Sequence, residues 1–219
     1  MQELSGSDMG FGGDLRFGET GPGAGLRGAD KICAAIADMS MPGASGKQWR
    51  AFLSATDDGN GAQVNAVDRV GEGPWYDRLG RVVALTKEDL LTERPTNIDP
   101  AIQDDLPNED GVPNHQPDPT MGEVDNHHML TGTDVSGQLY AASATCQDWT
   151  SSATDVGRPR VGLAWPREGG GGAANWISEL DESGCAPGVN LIQSGGPGDD
   201  GTVGSGGGYG GIYCFALMP

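Results

Sequence analysis

The chain has 219 residues, a formal net charge of −18, 38 glycines and 14 prolines. Only 36% of its residues are apolar and 6% aromatic, so it is short of side chains able to fill a core. This composition argues against a helical bundle, a coiled coil or a βαβ enzyme, whose long periodic stretches glycine would interrupt, and the acidity argues against nucleic-acid binding by a basic face.

Residues 1–28 read as irregular, with five glycines between Gly18 and Gly28. The spacing of Ile32, Cys33, Ile36 and Ala37 predicts a helix over Ala29–Met39, ended by MPGASG. WRAFLSA (49–55) reads as a buried strand before the turn formers DDGNG at 57–61. GEGPWYDRLGR then leads into a strand at Val82–Leu85. A short helix is expected at Thr86–Leu91, with Thr86 as N-cap and Asp89 three residues on.

From Glu93 to Asp125 the composition shifts to six prolines, many acids and few large apolar residues, which predicts a surface excursion. Strands are expected at MLTGT (129–133), around Gln138–Tyr140, and in TCQDWTSS (145–152), VGLAWP (161–166), NWISEL (175–180) and GGIYCFALM (210–218). A chain of this length suggests a single domain over 1–219, and no repeat at a solenoid or propeller period interrupts it.

Four cysteines, Cys33, Cys146, Cys185 and Cys214, stand at long separations without a CxxC pair. An even count in a glycine-rich chain with little core predicts two disulfides and an oxidising compartment, with three pairings open. A bridge between the outer two would close a loop worth roughly 5 kcal/mol in the chain-entropy model. MQELSGSDMG lacks a basic n-region and an apolar h-region, so a secreted protein would be represented by a mature or trimmed chain with an added Met. No apolar run approaches the ~18 residues of a membrane span.

LRGADKICAAIA (26–37) followed by KQWRAFLS (47–54) resembles the opening of endostatin-like and secreted bacterial lectin-like domains. VNAVDRVGEGPWYDRLGRVVA (64–84), HHMLTGTDVSGQLY (127–140), ATCQDWTSS (144–152) and GGYGGIYCFA (207–216) resemble the bacterial branch. The resemblance spans about Gly28 to Ala216, with dissimilar stretches between. It implies an α+β, C-type-lectin-like fold: short helices around a twisted antiparallel sheet with long loops. It also implies two nested disulfides, Cys33–Cys214 and Cys146–Cys185.

Gln116-Pro117-Asp118 matches a sugar-site tripeptide of calcium-dependent lectins, but it lies in the proline-rich excursion and no Trp-Asn-Asp follows, so it reads as a loop sequence. Asp57, Asp58 and Asn60, and Asp199 and Asp200, carry oxygens suited to calcium, the one candidate cofactor, and equally form turns. His127 and His128, as strand neighbours, are expected on opposite faces and so unable to share a zinc ion. Trp49 and Trp149 read as core. Trp75, Trp165 and Trp176, beside glycines or loops, are the candidates for a ligand-binding face.

GSGGGYGG (204–211) lacks the Lys-Ser/Thr of a phosphate loop, and no GxSxG or HExxH pattern occurs. The expectation is therefore a secreted or cell-surface binding module, not an enzyme, that recognises a glycan or a surface protein. The alternative is a structural subunit of an extracellular assembly, for which a homo-oligomer would serve.

Overall fold

The computed structural model describes residues 2–102, 106–112, 115–118, 122–164, 175–191 and 198–218. The chain runs through α1 (Gln2–Ser5), α2 (Ala24–Ser40), β1 (Trp49–Ala51), α3 (Ala66–Arg69), β2 (Trp75–Tyr76), β3 (Val82–Ala84) and α4 (Lys87–Leu90). It continues through β4 (His115–Asp118), β5 (Gly122–Asp125), β6 (His128–Leu130), β7 (Arg160–Leu163), β8 (Leu180–Asp181), β9 (Gly211–Ile212) and β10 (Cys214–Ala216). The result is a mixed α+β protein with one long helix and small sheets.

Helix α2 exists because Leu26, Ala29, Ile32, Cys33 and Ala37 recur at helical spacing and are all buried. It starts five residues before the predicted Ala29. Gly25 and Gly28, which read as helix breakers, are sites of close approach: a Cβ there would collide with the carbonyls of Asp148 and Arg16. The predicted helix after Thr86 forms with a complete capping box between Thr86 and Asp89.

Among the described residues, three two-stranded ribbons, β1–β10, β2–β3 and β4–β5, accompany a four-stranded sheet ordered β8–β7–β6–β9. The pairs are antiparallel except β6–β9, which is parallel, so the expectation of an antiparallel sheet holds only in part. The predicted 49–55 strand is a ladder only to Ala51. Beyond it the chain stays bonded by changing partner: the Phe52 N–H donates to Tyr213 (2.9 Å) and the Ser54 N–H to Thr131 (2.9 Å).

That segment divides the interior, because alternate residues of an extended chain point to opposite faces. Ala51, Leu53 and Ala55 join one core with Leu15, Ile32, Trp149 and Val161. Phe52 joins the other, with Trp75, Leu90, Trp176, Ile177 and Phe215. Disulfides Cys33–Cys214 and Cys146–Cys185, the pairing the resemblance implies, anchor the first core, with Cα–Cα distances of 5.4 and 5.7 Å.

Several expected elements differ. TCQDWTSS contains no strand: Cys146, Gln147, Asp148 and Trp149 all have positive φ, from 49° to 64°, and make one left-handed turn. Each such residue costs roughly 1–2 kcal/mol. The turn is held by the Asp148 carboxylate, which accepts from the Thr56 N–H (2.6 Å) and hydroxyl (2.5 Å), and by Trp149 Nε1, which donates to Ser54 (2.8 Å).

The Gln138–Tyr140 strand reduces to a single bridge, Thr133–Leu139. In NWISEL only Leu180 is strand, since Asn175 Oδ1 accepts from the N–H groups of Ile177 and Ser178 and turns the chain. The final strand breaks at Tyr213, where its pairing passes from β6 to β1. The 93–125 stretch is more than a surface excursion: Ile102 and Leu106 are buried in the second core, and the Leu106 N–H donates to Ala164 (2.7 Å). Gln116-Pro117-Asp118 lies in β4, paired across to Val124, Glu123 and Gly122.

Candidate functional site

Among the described residues, a groove of about 760 Å³ combines apolar walls with polar groups. Its walls are the C-terminal half of α2, the Val70–Arg78 stretch that contains β2, the Leu106–Glu109 segment, and residues 211–218. The floor is aromatic: Trp75 meets Phe215 edge to face, ring centroids 5.9 Å apart at 86°. Tyr213 donates its hydroxyl to the Trp176 carbonyl (2.6 Å), which fixes the same floor from the other side.

Three of the walls are tied together. Arg78 Nε donates to Ser40 Oγ (2.6 Å) and its Nη2 to the Ser40 carbonyl (3.1 Å), while the Ser40 hydroxyl donates to the Glu109 carbonyl. The Cys33–Cys214 bridge fixes α2 to β10, both of which line the groove. Tyr209 also lines it. Burial pushes its phenol above the ordinary tyrosine value, partly offset by a hydrogen bond from Asn126.

Of the predicted ligand-binding tryptophans, Trp75 and Trp176 lie beneath the groove, where both contribute to its lining. Trp176 is only 1% exposed, packs against Phe52 and Phe215, and donates Nε1 to Leu90 (2.8 Å). Trp75 is 7% exposed, with Nε1 donating to Val70 (3.2 Å). Both are core residues, because glycine neighbours bring backbone close to a ring as readily as they leave it open. Trp165 lies outside the described residues. Among the groove-lining residues Tyr76 brings a ring to solvent, 54% exposed. Strand alternation carries the missed signal, since with Trp75 inward its neighbour must point out.

The acidic loops are turns. Asp57 Oδ1 accepts from the N–H groups of Gly59 (2.6 Å) and Gly61 (2.8 Å), and Asp58 Oδ1 from those of Asn60 (2.6 Å) and Ala62 (3.3 Å). The Asn60 N–H, then its side chain, hold the Asp58 carboxyl below its ordinary value. Asp200 Oδ1 accepts from the Ser183 hydroxyl and from both the N–H and the hydroxyl of Thr202. Asp199, beside it, is exposed. Calcium takes about six to eight oxygens; Asp57, Asp58 and Asp200 each use Oδ1 to cap their own turns. Among the described residues no three His, Cys, Asp or Glu side chains cluster as metal ligands.

His127 and His128 do not point to opposite faces. Both are buried and their rings meet edge to face with centroids 4.4 Å apart, because His127 stands before β6 and escapes its alternation. His128 Nδ1 lies 2.5 Å from Glu182 Oε1. The other carboxylate oxygen of this fully buried Glu182 accepts from the Ser205 hydroxyl (2.6 Å) and the Gly206 N–H (2.7 Å). That network fastens the glycine-rich loop to the sheet, and a Cβ at Gly206 would strike the His128 ring. The loop is packed, as residues 203–208 are all buried.

No helix among the described residues is long and apolar enough to cross a membrane. No protein-family model matches the chain, and no curated protein matches it significantly.

Proposed function

We propose that the chain is an extracellular binding module of C-type-lectin-like architecture that holds a glycan or a surface protein in the groove beside β10, without turning it over. The groove carries this reading: a concavity of about 760 Å³ with walls fixed by a disulfide and by the Arg78–Ser40–Glu109 tie, and an exposed ring at its rim. Rigid walls lower the ordering cost of binding. Tyr76 offers the flat apolar face with a hydroxyl that sugars and polypeptides both use.

A binding role rather than a catalytic one is supported by the state of the polar groups. The Ser40 hydroxyl is engaged with Glu109 and Arg78, and His127 and His128 are buried in the sheet away from the groove lining. Extracellular placement is supported by the two disulfides.

The test is a glycan array and a cell-surface pull-down run with the wild-type chain and with Tyr76→Ala. A ligand bound by the wild type and lost about tenfold or more in the variant, with an unchanged melting curve, supports the groove. Ligands that bind both proteins equally place recognition elsewhere and overturn the reading. The same array run with chelator distinguishes a calcium-assisted site, whose signal is lost, from a metal-free one, whose signal stays.

A further inference from the structure

The β1–β10 ribbon has two outer edges, and the chain treats them differently. In an antiparallel ladder the hydrogen-bonded positions alternate. The Phe52 N–H donates to Tyr213 (2.9 Å) and the Leu217 N–H to Gln48 (3.2 Å), so residues 213, 215 and 217 face β1. Cys214 and Ala216 therefore turn their N–H and C=O groups away from it.

On β1 three of the four equivalent outward groups are covered by side chains. The Ala51 N–H donates to Asp30 (2.9 Å), the Ala51 carbonyl accepts from Arg69 (2.5 Å), and the Trp49 carbonyl accepts from Arg50 (2.9 Å). Asp30 and Arg69 are themselves paired at 2.8 Å. On β10 no strand among the described residues pairs with the outward edge, and Cys214 and Ala216 both line the groove.

An open edge of this kind is a template for another strand, and apolar walls beside it supply side-chain specificity. Taking the groove as the binding site, we infer that its occupant is an extended, net-basic polypeptide segment that pairs with β10 as the third strand of the ribbon. The repeat of outward groups at every second residue, about 7 Å, matches a polypeptide backbone. The walls offer Ile36, Met41, Val70 and Leu217 to alternate apolar side chains. The charge of −18 favours a basic segment and opposes pairing between two copies of this chain.

The probe is a capped hexapeptide alternating lysine and valine, titrated into the full chain while backbone amide exchange is followed by NMR. The expected result is slowed exchange at Cys214 and Ala216, by about tenfold or more at saturation. N-methylating alternate peptide residues in one register should weaken binding about tenfold, and in the other register by less than about twofold. Ala216→Pro, which removes a groove-facing N–H and no ladder bond to β1, should weaken binding as the first series does; the peptide series decides the matter if that variant does not fold.

Equal effects of both registers, protection elsewhere, or no saturation at millimolar peptide would overturn strand addition. Edge protection that rises with protein concentration and no peptide would make a second copy the occupant and overturn it too. A glycan that needs Tyr76 yet leaves the edge amides unprotected would sink this inference while sparing the groove as a binding site. Ligands that never depend on Tyr76 would sink the groove itself.

Discussion

The two cores on either side of the Trp49–Ala55 segment meet the same shortage of apolar residues in opposite ways. The first, under α2, uses small residues and covalent staples: Ala29, Ala51, Ala55, Cys33, Cys146 and Cys185 sit among Leu15, Ile32 and Trp149. The second, under the groove, uses rings: Phe52, Trp75, Trp176 and Phe215, with Tyr213 packed against them. A staple acts mainly by limiting the unfolded chain, whereas a ring acts by burying area in the folded one. The two halves should therefore respond to different insults.

Removing the staples has the largest expected effect. The Cys33–Cys214 bridge closes a separation of 181 residues, worth roughly 5 kcal/mol in the loop-entropy model, and Cys146–Cys185 one of 39 residues, worth roughly 4 kcal/mol. Reduction under gentle conditions should first strip hydrogen-exchange protection from Leu15, Ile32 and Leu53, while Leu90 and Ile177 keep theirs. Simultaneous loss in both halves would break the comparison and show one cooperative unit.

Trp176→Ala strikes the ring-built half. It removes a ring that touches Phe52, Phe215 and Tyr213 and leaves the Leu90 carbonyl without its donor. A loss of about 4 kcal/mol is expected from the denaturant midpoint. The disulfides should survive it, checked by intact mass with and without reductant. A loss below about 1 kcal/mol would mean that the aromatic cluster is not the keystone of its half.

The stapled half was the more legible in sequence, for a physical reason. The α2 stripe and the Asp57–Gly61 turn both depend on residues close in the chain, as does the Thr86 capping box, the one such signal in the ring-built half. The bridge pairing came through resemblance alone, since spacing left three pairings open. The left-handed turn at Cys146–Trp149 was opaque because it contains no glycine; contacts with Thr56 and Ser54, almost a hundred residues away, hold it. The ring-built half misled for the same reason. Nothing adjacent to Trp75 or Trp176 reveals that Phe215, Phe52 and Leu90 will close over them, and no local signal marks the edge of β10 as open.

Glu182→Ala tests what joins the glycine-rich loop to the sheet. His128, the Ser205 hydroxyl and the Gly206 N–H would lose a shared, buried acceptor, at a cost of about 3 kcal/mol. Glu182→Gln keeps one acceptor oxygen and should recover part of that loss in the same urea titration. If the two variants lose equally, charge rather than hydrogen bonding holds the loop.

The smallest effect separates the halves by pH. Tyr209 lines the groove and its phenol titrates above the ordinary tyrosine value because burial disfavours the phenolate. Such a group contributes stability that is fully present below the unfolded value and is lost as pH rises through the folded one. Alkaline titration should therefore loosen the groove before the stapled core, seen as phenolate absorbance that rises together with fluorescence change from Trp75 and Trp176. Tyr209→Phe removes the titrating group while keeping the ring, so its stability curve should stay flatter over that same window. An unchanged alkaline slope in Tyr209→Phe would move the pH sensitivity to another group and leave the groove no more vulnerable than the half held by disulfides.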